Sequence, residues 1–333
     1  MPLLNPATGG YHDFTSLTDQ INRVEYVPRQ LGDAVTVVSR GLRDRTAIID
    51  RKSETLDIID PIAWDAKPGV TEVEDYESFP ILVPHRQELV TIRPAEVRSK
   101  RRMGSETEYE MPTDRLNEKF TKVKNKFALT DEHQLINACR GKLIRKNGSV
   151  YLDLAAQFGI GPSPYEVDFD DADLDVVATG RALKRSQEAK VGDFAVTKWL
   201  WFLPAEYFES LVTKESIKRA YDRWMDGAFL RADNRSGFPI ADNVEVVEYR
   251  NITLPGGVDF FPTDESLFVP VTQGLFQRRY APREDMNNVN TEGLPFYAIP
   301  NDLDFAEGID IKVESNAVTY LQRPEAVGVV KQA

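Results

Sequence analysis

The chain has 333 residues, which at ~150 residues per domain suits about two domains rather than one small core. Hydrophobic residues make up 41% and charged residues 28%, an ordinary globular mixture that excludes a disordered tail or a disulfide scaffold. Asp plus Glu outnumber Lys plus Arg by 53 to 41, a formal charge of −12, so the chain as a whole has no pull toward nucleic-acid phosphates. The longest strongly apolar run, 199–205, is far shorter than the ~20 residues that span a bilayer. No basic, then apolar, leader opens the sequence, and the single cysteine, Cys139, fits a reducing compartment. A soluble chain made inside the cell, with no membrane partner, is the expectation.

The first forty residues read as an arm. Leu17, Ile21 and Val24 suggest one short helix, which Asp13 or Thr15 would cap and Pro28 would stop. From Gly41 to Pro94 the pattern is that of two long strands, Thr46–Asp60 and Phe79–Pro94, joined by an acidic connection containing Pro61, Pro68 and Gly69. Such a long hairpin has too few apolar residues for a domain of its own, and its open edges ask for a neighbouring subunit to lie on. Leu116, Phe120, Val123 and Phe127, then Leu135, Cys139 and Leu143, fall at steps of three and four and predict one long helix, about 112–140, between Pro112 and Gly141. Asn147-Gly148 predicts a tight hairpin turn before Val150, Leu152 and Leu154. A second helix is expected over Leu174–Glu188, a buried strand over Lys198–Leu203, and short helices over Ala205–Val212 and Ile217–Met225. Strands follow at Val244–Tyr249 and Leu267–Val271, and Ile309–Val329 reads as two strands broken near Arg323-Pro324.

Catalytic patterns are missing. His12, His85 and His133 show no zinc spacing, there is no nucleophile elbow, and Gly141-Lys142 lacks the rest of a phosphate loop. Gly159-Ile160-Gly161 is followed by Pro162 and reads as a turn. The acidic run Glu166, Asp168, Asp170, Asp171, Asp173, Asp175 fails the calcium-loop template, because Val176 stands in place of its glycine and Ala182 in place of its closing Glu. It reads as a solvated loop. Arg98, Lys100, Arg101 and Arg102 read first as a charged approach to the long helix, answered by Glu106, Glu108 and Glu110, and second as a local contact with nucleic acid or an acidic neighbour. Expected catalytic, cofactor-binding and metal residues are therefore none, with no cofactor.

Tyr280-Ala281-Pro282, Asn290-Thr291, Gly293-Leu294-Pro295, Tyr297-Ala298, Glu314-Ser315-Asn316 and Arg323-Pro324 form an ordered set. Together with Phe14, Leu17-Thr18, Ile21-Asn22, Pro28 and Gln157-Phe158-Gly159, this set resembles the lambda-type major capsid protein (major capsid protein E) family of tailed bacteriophages. The acidic run is a departure from that pattern. The resemblance implies an α+β, Hong Kong 97-like capsid fold. Its parts would be an N-terminal arm at 1–40, an extended loop at 41–95, a peripheral domain at 96–194 built on a spine helix at about 112–140, an axial domain at 195–304, and C-terminal strands at 305–333 returning to the peripheral domain. The implied function is a structural shell subunit, forming hexamers and pentamers of an icosahedral head around double-stranded DNA. Its implied partners are itself and the scaffold, portal and decoration proteins of the same phage, with packaged DNA touched weakly on the inner face. The charge of −12 suits a container that does not grip its contents. A non-viral compartment shell of the same fold, and an enzyme with an acidic cleft, remain as alternatives at this point.

Overall fold

A computed structural model describes residues 30–52, 76–97, 112–217, 237–251, 259–286, 288 and 290–333. The predicted arm helix around Leu17–Val24, the acidic connection, the basic cluster at 98–102 and all but the start of the predicted 217–225 helix lie outside the described residues.

The described chain begins with a short helix α1 (Gln30–Ala34) and strand β1 (Val37–Gly41). Strands β2 (Thr46–Lys52) and β3 (Tyr76–Leu82) pair antiparallel, from Thr46 opposite Leu82 to Lys52 opposite Tyr76. Strand β4 (Gln87–Ile92) follows, and then α2 (Pro112–Cys139), which at ~1.5 Å per residue is about 42 Å long. β5 (Lys142–Ile144) and β6 (Val150–Asp153) form a small hairpin on the Asn147-Gly148 turn, where Gly148 takes φ 81°. Next come α3 (Leu154–Phe158), β7 (Ser163–Val167), α4 (Val176–Val191), β8 (Val196–Leu203) and α5 (Ala205–Thr213). The remainder is β9 (Phe238–Ala241), β10 (Val244–Glu248), β11 (Glu265–Thr272), β12 (Phe276–Tyr280), β13 (Tyr297–Asp302), β14 (Ile309–Glu314), β15 (Ala317–Leu321) and β16 (Gly328–Gln332).

These strands make a six-stranded sheet in the order β7-β16-β11-β8-β10-β9 and two three-stranded sheets, β1-β12-β15 and β13-β14-β4. The last five residues of β8 and seven of the eight in β11 are buried, as expected of strands covered on both faces. Trp199 stacks on Phe268 at 5.1 Å, and the Trp201 indole N–H donates to Ser266 Oγ at 2.9 Å, which satisfies the polar atom of a side chain with no exposure. The C-terminal strands separate: β14 pairs with β4 beside the long helix, whereas β16 lies in the six-stranded sheet between β7 and β11.

Two apolar cores result, and α2 serves both. Its first half sends Leu116, Phe120, Val123 and Phe127 into a small core with Val90, Ile92, Ala298, Ile311 and Val313 from β4, β13 and β14. Its second half sends Leu135, Ile136, Ala138 and Cys139 into the main core under the six-stranded sheet. The helix is thus a rod joining two bodies. Leu143 does not extend its stripe as expected, because the helix ends at Cys139, Gly141 turns left-handed with φ 73°, and Leu143 lies on β5.

Two further expectations need correction. Phe79–Pro94 is not one strand: Pro84 has no N–H to give a ladder, and the chain leaves β3 before it to enter another sheet as β4. Ile309–Val329 is not two strands but β14, β15 and the start of β16, with a change of sheet at Ser315-Asn316 as well as the break at Pro324–Ala326. The base of the long hairpin also leans on its own subunit. Ala47, Ile81 and Val83 are buried in the main core, and Phe79 meets Phe158 edge to face at 5.3 Å. Its opposite face stays bare, with Ile48 65% and Leu82 61% exposed.

Candidate functional site: the junction of arm, hairpin and long helix

The ordered motifs of the last third, far apart in sequence, converge beside the middle of α2. β1 runs parallel to β12, and where the pair ends Leu42 N–H donates to the Tyr280 carbonyl at 2.7 Å while Gly293 N–H donates to the Leu42 carbonyl at 2.8 Å. The backbones are packed so closely that a Cβ on Gly293 would lie 2.2 Å from the Tyr280 oxygen, so only glycine fits. Ala281 N–H donates to the Asn316 carbonyl at 2.9 Å, and Leu294 N–H donates to the Tyr297 hydroxyl oxygen at 2.9 Å. Tyr280-Ala281, Gly293-Leu294, Tyr297 and Asn316 therefore form one knot that ties the end of the arm to the turns at which the chain changes sheets.

A buried charge cluster fastens this knot to the helix. Asp131 of α2 receives Arg86 Nη1 at 2.6 Å on one carboxylate oxygen and Arg278 Nη1 at 3.2 Å on the other. Arg86 Nε also donates to the Ser315 carbonyl at 3.2 Å, and Arg278 Nε to Thr319 Oγ1 at 3.1 Å. All three charged side chains are at most 12% exposed, so removing Asp131 would strip both buried guanidiniums of the carboxylate they share. The Arg86 guanidinium also lies 5.8 Å from the Phe127 ring centre, which links the cluster to the small core.

One residue along, Glu132 fastens the arm. Its Oε1 accepts from Leu31 N–H at 2.7 Å and from the Tyr249 hydroxyl at 3.0 Å, while Oε2 accepts from Gly32 N–H at 2.9 Å. The carboxylate thereby satisfies amides in the first turn of α1 that a helix start leaves without partners. Burial raises the Glu132 pKa, with the three hydrogen bonds working against that rise. Because the folded state holds this proton more tightly than the unfolded chain, the group's contribution is full at low pH and declines as pH rises through the raised value. Melts of the unassembled subunit at pH 5 and pH 8 are therefore expected to show Glu132→Gln losing more stability, relative to the parent, at pH 5.

The remaining chemically interesting residues have structural work. His85 Nδ1 lies 2.7 Å from Asn316 Oδ1 at the edge of the knot. His133 is buried; desolvation, helped by the Arg140 charge, lowers its pKa and keeps it neutral. Burial pushes the Cys139 thiol far up, away from the thiolate that nucleophilic chemistry needs. The acidic run is largely spent on its own backbone. Asp168 Oδ1 accepts from the amides of Asp170 (3.0 Å) and Asp171 (3.2 Å) and from Gln332 Nε2, and Asp171 Oδ1 accepts from the Asp173 amide. Asp175 caps α4 through the Ala178 amide at 3.0 Å. Asp175→Ala should destabilise the subunit by about 1 kcal/mol as a lost N-cap, whereas Asp170→Asn should leave its melting temperature unchanged. A larger loss from Asp170→Asn would mean that the run holds something besides its own amides.

Asp131, Arg86, Arg278 and Glu132 carry this site, and sequence reasoning singled out none of them. The motif residues around them were noticed. Among the described residues, no helix is long and apolar enough to cross a membrane.

The profile of the family described as phage major capsid protein E matches residues 13–331. A major capsid protein of Salmonella phage Felix O1 is 24% identical over 347 residues, covering 93% of this chain and 94% of that one. Among solved structures, a prophage capsid protein from E. coli CFT073 superposes with a TM-score of 0.62 at 15% identity, covering 96% of this chain and 99% of the other. The capsid asymmetric unit of cyanophage Pam1 gives 0.56 at 12% identity, with 93% and 94% covered.

Proposed function

Since this chain belongs to the phage major capsid protein E family, we propose that its junction is the device that holds arm, hairpin and helix at fixed angles so that identical copies close into hexamers and pentamers. The protein is a structural subunit of the virion capsid, not an enzyme; it has the Hong Kong 97-like fold and assembles with copies of itself. Membership in a phage capsid family separates this reading from the non-viral compartment and from the enzyme with an acidic cleft. The observation that carries the proposal is that two neighbouring carboxylates of one helix do the fastening: Asp131 holds Arg278 and Arg86, which in turn holds Ser315 of the knot, and Glu132 holds Leu31 and Gly32 at the end of the arm. A subunit that must make the same kinds of contact in every copy needs its protruding parts held rigidly, and buried charge clusters of this kind penalise other arrangements.

In this reading the arm is 1–40, the extended loop 41–95, the peripheral domain 96–194, the axial domain 195–304, and 305–333 returns toward the peripheral domain. The pairing of β14 with β4 beside α2 supports that return, while β7 and β16 extend the sheet of the axial domain beyond its sequence bounds. The bare face of Ile48, Pro80 and Leu82 is what a neighbour would cover. Scaffold, portal and decoration proteins of the same phage, and weak contact with DNA on the inner face, belong to the same proposal, and the charge of −12 supports the weakness of the DNA contact. No residue of the chain is assigned a catalytic, cofactor or metal role. Averaged images of assembled particles should resolve rings of five and of six copies. Particles built from a single kind of ring would overturn the hexamer-and-pentamer assignment.

A further inference from the structure

We propose that the β5–β6 hairpin is a DNA-contacting tip, whose Lys142, Arg145 and Lys146 meet the phosphates of a duplex backbone. The proposal rests on the capsid reading, in which the contents are double-stranded DNA, and gives the weak contact with them a place in the chain.

The hairpin runs against the charge of the molecule. Asp and Glu supply about one residue in six of the chain, yet residues 133–152 contain neither and carry Arg140, Lys142, Arg145 and Lys146. Arg140 is spent inside the subunit, where its Nε donates to Glu265 at 2.7 Å. The other three are exposed, and none has a carboxylate partner among the described residues. The first acid after them, Asp153, is engaged with the Ala156 amide as the N-cap of α3. A chain with a charge of −12 repels a polyanion as a whole. Any contact with one must come from a local excess of cations that carboxylates do not cancel.

The tip is also held in shape. Arg145 N–H donates to the Ser149 carbonyl and Gly148 N–H to the Arg145 carbonyl, both at 2.9 Å. Asn147 Oδ1 accepts from the Ser149 amide at 3.1 Å and from the Ser149 hydroxyl at 2.7 Å. The Arg145 guanidinium lies 5.1 Å from the centre of the Tyr151 ring, a contact that steadies the long side chain and leaves its N–H groups to a ligand. A cation placed in advance gives up less freedom on binding. Lys142 and Arg145 are three residues apart along one strand, about 10 Å. A duplex carries one phosphate charge per ~1.7 Å of its axis, so the three cations can meet several phosphates at once. Such contacts carry no sequence information. The rival anion is the acidic run of a second copy, but Asp168, Asp171 and Asp175 already accept from amides of their own loop. Backbone phosphates have no such internal partners, and DNA is the better ligand.

Titration of unassembled full-length subunits with a short fluorescent DNA duplex tests the contact. Binding should be indifferent to sequence and weaken about fortyfold between ~50 and ~200 mM salt, as counterion release from three phosphates requires. Lys142→Gln, Arg145→Gln and Lys146→Gln combined should weaken it tenfold or more at ~50 mM salt and flatten its salt dependence, with melting temperature and shell yield at the parent's values. Unchanged affinity in the triple variant, or a parent that binds no duplex at ~50 mM salt, would overturn the hairpin contact and leave the capsid reading standing. Loss of shells from the triple variant with duplex binding intact would overturn it in favour of the second copy's acidic run. A parent chain that forms no shells would overturn the capsid reading on which the proposal rests.

Discussion

Asp131→Ala is expected to cost the subunit a large share of its stability, an effect matched among the changes considered only by Phe120→Ala. The substitution takes from the Arg86 and Arg278 guanidiniums, each at most 12% exposed, the carboxylate they share. Removing one member of a buried pair typically destabilises by about 3–5 kcal/mol, a large share of the ~5–15 kcal/mol that holds a domain together. Arg278→Met supplies the control. It leaves Arg86 and Asp131 as a one-to-one pair and replaces the second cation by an apolar chain, so a clearly smaller loss is expected. Denaturant melts of unassembled subunits measure both. A loss under 1 kcal/mol for Asp131→Ala, or equal losses for the two variants, would mean that the cluster does not secure the helix.

Phe120→Ala is expected to lose about 3–5 kcal/mol, the usual result of emptying a buried phenylalanine site. Phe120 has no exposure and is one of the nine buried side chains of the small core, where few neighbours can move to fill the space. The loss should also be local. Hydrogen exchange is expected to accelerate in β4 and β14, which pack on Phe120, and to change much less in β8 and β11, whose burial is in the main core. Uniform acceleration would show that the two cores unfold as one unit. Unchanged exchange throughout would show that the first half of α2 is not a core element.

The contrast between these two sites explains what the sequence could and could not disclose. α2 was legible because its burial is periodic: Leu116, Phe120, Val123 and Phe127 recur as a helix face must. Periodicity reports that a face is buried, not what buries it, so the division of that face between two cores stayed hidden, as did the transfer of Leu143 to β5. Changes of sheet leave little trace for the same reason. β14 and β15 are both apolar strands, and only the pairing partners tell that Ser315-Asn316 separates them. The ordered motifs pointed to the knot, but with 53 acids in the chain nothing distinguished Asp131 or Glu132 from the rest.

The claim that matters most is that this chain builds a closed shell. Electron micrographs of the purified protein, made alone and together with the other head proteins of its phage, test it directly. The account predicts uniform, closed icosahedral particles in which this chain is the dominant protein. Dispersed subunits in both preparations, from protein that melts cooperatively and is therefore folded, would contradict it.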